Sequence, residues 1–113
     1  MDKQQTARAV ERALSKNIRE RIGKGPRLIK AVVYENSIDI EVIGYLTKME
    51  TNYLEIAGVD GHALVKSNRL KMLEATRESI IAELSEAIKL NVHIDHIDMR
   101  VNEDYCIAKL IFD

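Results

Sequence analysis

HALVKSNRLKMLEATRESIIAELSEAIKL, residues 62–90, carries its large apolar side chains at Leu70, Leu73, Ile80, Ile81, Leu84 and Ile88. Steps of three and four place these on one stripe of a helix, because side chains so spaced stack on a common face. Asp60 stands where a carboxylate caps a helix start, Asn91 where a left-handed residue ends one, and Lys89 where the terminal dipole favours a cation. The pattern predicts a rod of roughly thirty residues, about 45 Å long, against which everything else packs. Ser67 and Asn68 compete for backbone hydrogen bonds and offer the alternative of a break with a second start. The continuous rod is the preferred reading. Arg77 interrupts the stripe, four residues after Leu73 and four before Ile81. A stem lying on the core with its guanidinium at the edge explains it most simply; a buried ion pair or anion contact is the sharper reading.

Composition bounds what surrounds the rod. A chain of 113 residues suits one domain, 1–113, and with one Phe and no Trp its core must be aliphatic. Seventeen basic against eighteen acidic residues give a net charge of -1, so no global field recruits nucleic acid or an anionic membrane. The lone Cys106 has no internal disulfide partner, and no apolar run approaches a membrane span or signal-peptide core. These features predict a cytoplasmic protein without a direct membrane span.

Working outward from the rod, Gln4 to Ile22 reads as a first helix, with Val10, Leu14, Ile18 and Ile22 at four-residue steps. Its stripe is narrow, so it is stable mainly when docked. Gly23 caps it and Pro26 forbids its continuation. Leu28 to Tyr34 and Ile38 to Ile43 then form a hairpin around Glu35-Asn36-Ser37. The first of these strands is apolar on both faces, which predicts an interior position or a covered outer face. Thr47 and Glu50 are spaced as a capping box, with Leu46 as its staple, opening a short helix from about Lys48 to Ala57 that stops at Gly58. Val92 to Val101 and Tyr105 to Phe112 make a second hairpin around Asn102-Glu103-Asp104. In the first of its strands Val92 and Ile94 fall out of phase with Ile97, Met99 and Val101, so a bulge near Asp95 or His96 is expected. The predicted class is α+β, in the order α-β-β-α-α-β-β: two β-hairpins merged into a four-stranded antiparallel sheet, with a long, a short and an N-terminal helix.

Candidate chemistry is sparse. His93-Ile94-Asp95-His96-Ile97-Asp98 looks metal-like, yet strand alternation separates its ligands onto two faces, and polar residues on an outer sheet face are the better account. No metal or cofactor is predicted. Lys24, between Gly23 and Gly25 and close to Arg21 and Arg27, invites phosphate, but the spacing is not that of a P-loop and a helix C-terminus repels anions. Cys106 alternates with Ala108 and Leu110 and reads as inert core, and no catalytic residue stands out.

Gly23-Lys24-Gly25-Pro26 ahead of a hairpin, Leu46-Thr47 with Glu50, Arg69 early in a long helix and a closing strand pair together resemble the bacterial MpsC family. That family was first catalogued as a domain of unknown function and is named for a sodium-translocating, membrane-potential-generating system. The resemblance spans about Val10 to Phe112. Lys48 stands where many members have proline after the threonine, and Asn91 where they have glycine; both changes are conservative for capping. The resemblance implies an accessory or regulatory protein peripheral to the inner face of a membrane, with a membrane-system protein as partner. It brings no catalytic residues, but it places Arg69 within reach of Glu50 as a bridge between two helices.

Two functional classes follow. One is a non-catalytic interaction module, a homodimer in which a second copy covers the sheet face the helices leave bare. The other is a small-molecule or anion-binding domain, enzymatic or not, in which Lys24, Arg69 and Arg77, with Glu50, converge on one cavity.

Overall fold

The computed structural model describes residues 1–113. The first helix, α1 (Lys3–Ile22), begins one residue earlier than its apolar period suggests, because Asp2 and Gln5 form a capping box. The Asp2 carboxylate accepts from the Gln5 amide at 2.7 Å, and the Gln5 side chain accepts from the Asp2 amide at 3.0 Å. Gly23 ends the helix in the left-handed conformation, as the sequence predicts.

Four strands follow in two ribbons: β1 (Leu28–Val33) with β2 (Ser37–Ile43), and β3 (Val92–Arg100) with β4 (Tyr105–Phe112). They merge into one antiparallel sheet in the order β1-β2-β4-β3, with β2 and β4 forming the seam from Ser37–Ile111 to Ile43–Tyr105. The expected bulge is present. Ile94 pairs with Leu110 and His96 with Lys109, so Asp95 is the extra residue, and Ile94, Ile97 and Met99 all reach the inner face. There they meet Ile38, Ile40 and Val42 of β2 and Cys106, Ala108 and Leu110 of β4, in a core that includes Val10 of α1 and Leu84 and Ile88 further along the chain.

The structure corrects the expected position of β1, which is an edge strand. Its apolar run resembles that of an interior strand, but α1 shields the edge: the Glu11 carboxylate accepts from the outward Ala31 amide at 2.9 Å. Both helical layers lie on the inner face. The outer face is bare and mixed, with Lys109 3.8 Å from Asp39 and the Tyr105 hydroxyl donating to Glu41 at 2.9 Å between half-buried Ile43, Ile107 and Ile111.

The helix α2 (Lys48–Ile88) opens with the predicted Thr47–Glu50 capping box and has one non-helical residue, Gly58. Residues 50 and 69 would stand about 28 Å apart on a straight helix. Instead their side chains touch at 2.6 Å, so the chain folds back at Gly58 into a short arm, 48–57, lying along a long arm, 59–88. The long arm is the predicted rod, and the molecule's longest dimension is 46 Å. Asp60 lies just inside its start, and Thr47 rather than Asp60 provides the side-chain cap of α2. At the far end Lys89, not Asn91, adopts the left-handed conformation, and its amide donates to the Ser85 carbonyl. Ser85 favours the earlier stop, since its hydroxyl also accepts from the Val92 amide at 3.3 Å as the strand begins.

Two glycines make the fold-back possible. Gly58 has φ 58° and ψ -128°, a conformation that side chains with a Cβ resist. Gly61 lets the arms close, because a Cβ there would sit 2.9 Å from the Tyr53 carbonyl oxygen and 3.1 Å from the Ala57 Cβ. Nothing lies within 4 Å of a Cβ at Gly58, so Gly58→Ala tests backbone strain alone and should cost about 1–3 kcal/mol in urea unfolding. Gly61→Val should cost at least as much, and should in addition increase hydrogen exchange of the short-arm amides. Wild-type stability in both variants would contradict a fold-back at this point.

Candidate functional site

The densest polar cluster lies where the short arm meets the long arm. Arg69 is 91% buried and donates three hydrogen bonds: from Nε to Glu50 Oε2 at 2.8 Å, and from one terminal nitrogen to Glu50 Oε1 at 2.6 Å and the Tyr45 carbonyl at 2.9 Å. Its guanidinium also lies 5.4 Å from the centre of the Tyr45 ring. Glu50 Oε1 accepts in addition from the Thr47 amide at 2.8 Å, so a single carboxylate caps the helix and closes the hairpin. Burial pushes the Glu50 carboxyl upward, but the Arg69 and Thr47 hydrogen bonds more than offset this and hold it below the ordinary carboxylate range. For the Tyr45 hydroxyl, burial is the largest cause of a strong upward shift, so this group is a neutral phenol at any physiological pH.

Two further side chains hold the same stretch of backbone. Lys24 Nζ donates to the Leu46 carbonyl at 2.8 Å, next to the carbonyl that Arg69 engages. Asp104 Oδ1 accepts from the Tyr45 and Leu46 amides, both at 2.9 Å, and the Asp104 carbonyl accepts from the Gly44 amide at 3.0 Å. The connection between β2 and α2 is thereby clamped from three sides. Sequence reasoning missed Asp104, whose position in a turn explains its presence without reference to any distant partner.

Of the four sequence candidates, the structure gathers Lys24, Glu50 and Arg69 around residues 45–47. Arg77 lies elsewhere, about 12 Å along the long arm from Arg69. It donates to the Ile94 carbonyl at 3.2 Å and lies 3.8 Å from Glu74. Each of the three cations already has a protein acceptor. His93 and His96 lie opposite Ile111 and Lys109 and contact Asp113 and Asp95 respectively, and no three His, Cys, Asp or Glu side chains converge as metal ligands. Cys106 is buried, and burial pushes its thiol up to about 11, far from a nucleophilic thiolate.

A cavity of about 150 Å³ lies beside this cluster, between α1, the long arm and the inner sheet face. Sixteen of its twenty lining residues are hydrophobic, so it offers aliphatic packing and no assembled acid, base or nucleophile.

A family model described as Na+-translocating membrane potential-generating system (MpsC) matches residues 2–113. The chain belongs to the MpsC family. No curated protein and no solved structure gives a significant match. In this MpsC-family chain no helix is long and apolar enough to cross a membrane.

Removing one partner of the buried pair leaves the other charge unmatched, so Arg69→Ala should lower stability by about 3 kcal/mol or more. The Glu50 carboxyl is depressed in the folded state. Its contribution is therefore complete above the unfolded value of about 4.3 and is lost as pH falls through the lower folded value. Acid titration of urea stability should show this loss below about pH 4 in the wild type and a smaller one in Glu50→Gln. Identical acid profiles would refute the assignment.

Proposed function

We propose that this MpsC-family chain is a non-catalytic, homo-oligomeric interaction module, an accessory protein that works by docking on other protein subunits. The observation that carries this reading is the outward surface of the α2 hairpin, from the start of its short arm to its apex. Met49, Ile56 and Val59 are 80%, 85% and 81% exposed there, and Tyr53 and Leu64 are also exposed. Met49, Tyr53 and Ile56 share one face of the short arm, and large aliphatic groups so exposed lose stabilisation that a protein contact would restore.

The occupant best suited to this face is a second copy. Met49, Tyr53 and Ile56 form an apolar strip along the short arm, and the same strip on a second copy is a self-complementary cover for it. Charge supports antiparallel pairing, because Lys48 lies at one end of the short arm and Glu55 near the other, with Asp60 just past the turn, so a two-fold axis brings unlike charges together. The outer sheet face, which the apolar runs favour as the dimer surface, is less suited. Its Asp39–Lys109 and Tyr105–Glu41 contacts make it stable in water. The family's description supports a place beside a cation-translocating membrane system, and the proposal puts the chain on its cytoplasmic side, in contact with protein. The cations that an anion-binding reading requires are engaged by Glu50 and by backbone carbonyls.

Size-exclusion chromatography with light scattering at tens of micromolar should give twice the mass of the chain. Ile56→Asp with Val59→Asp should give the monomer mass with an unchanged circular dichroism spectrum. A monomeric wild type, or a dimer indifferent to both changes, would overturn the reading.

A further inference from the structure

The cavity between α1 and the long arm has features that core packing alone does not require. Ala108, Ile97 and Met99 lie on the covered face of the sheet, yet they remain partly accessible, whereas Ile38, Ile40 and Leu110 on the same face are sealed. The floor is recessed because Ala108 stands where its neighbours carry larger side chains. Among the lining residues Arg21 and Met72 are exposed and lie on facing helices, which marks the opening.

Water is a poor occupant, since a buried water needs two to four polar partners. The polar groups of the lining are engaged with one another or with backbone. Asn17 donates to Glu83 at 2.7 Å, Arg69 to Glu50, the Thr76 hydroxyl to the Met72 carbonyl at 2.9 Å and the Tyr45 hydroxyl to the Tyr105 carbonyl at 3.5 Å. A dry aliphatic space of about 150 Å³ is one that takes up a molecule with a hydrocarbon body of about six carbons. Arg21 adds a charge preference at the opening. Its guanidinium donates to the neutral Ser79 hydroxyl at 2.8 Å and is 3.9 Å from a Glu83 oxygen, the other oxygen of which is engaged by Asn17, so its charge is only loosely matched.

We propose that this cleft binds a small amphiphilic anion, a medium-chain carboxylate whose tail lies over Ala108 and whose head group pairs with Arg21. The site is independent of the hairpin apex, so its occupancy does not depend on the assembly reading. Octanoate tests it, with 1-octanol as the neutral probe of equal chain length. Calorimetric titration should show one saturable octanoate site per chain. Ala108→Leu, which fills the floor, should weaken binding of both probes at least tenfold. Arg21→Ala should weaken octanoate several-fold and leave octanol unchanged. If Ala108→Leu fails to fold, Met72→Trp at the exposed opening serves the same purpose. No saturable octanoate binding, or undiminished affinity in a folded filled variant, overturns the site; octanoate affinity unchanged in Arg21→Ala overturns the anionic head group. The mass of the protein in solution reports separately on assembly.

Discussion

Everything distinctive in this molecule depends on the Arg69–Glu50 pair. A carboxylate that caps the first turn of a helix also receives a guanidinium from nineteen residues further on, and the two can meet only if the helix doubles back. The pair is mostly sheltered on the Glu50 side and almost fully enclosed on the Arg69 side, so removing either member costs far more than a surface ion pair would contribute. By also engaging the Tyr45 carbonyl, Arg69 fixes the angle at which the hairpin leaves the sheet. Lys24 and Asp104 reinforce the same junction from the α1–β1 connection and from the β3–β4 turn, so elements from both ends of the fold converge there.

That junction divides the molecule into two chemical regions. Beyond it toward the sheet, apolar residues face inward and the core is aliphatic. Beyond it toward the apex, the hairpin has a thin internal seam of Gly61, Val65 and Leu54, and its larger residues face water. A rigid mount supporting an apolar tip is the arrangement on which the proposed docking role rests. The enclosed region holds aliphatic side chains, a neutral phenol and a protonated thiol.

Much of this was legible in the sequence. The rod, the short helix with its Thr47–Glu50 box, both ribbons and the bulge at Asp95 follow from periodicity and capping chemistry, which act locally. The Arg69–Glu50 bridge came from family resemblance, since nothing local states which arginine meets which glutamate. The edge position of β1 was not legible, because an apolar run reads the same whether a strand is flanked by strands or by a helix carrying Glu11. Nor was the exposed face of the short arm: Met49, Tyr53 and Ile56 recur at helical spacing, which resembles a core-facing stripe until the fold-back shows that Glu50, Leu54 and Ala57 face inward instead. Asp104 was hidden for a similar reason, since its partners at Tyr45 and Leu46 are distant in sequence.

The strand order has a consequence for how the protein is made. β4, the last strand to be synthesised in this domain, belongs in the middle of the sheet, between β2 and β3. Until it arrives, the emerging β1–β2 ribbon presents the unpaired amides and carbonyls of β2 along an open edge flanked by Ile38, Ile40 and Val42, the kind of surface on which nascent chains stick to one another. Closure of the sheet is therefore a single late event that joins contacts far apart in sequence, and a ribosome-bound chain lacking β4 would depend on chaperones in a way the finished protein does not.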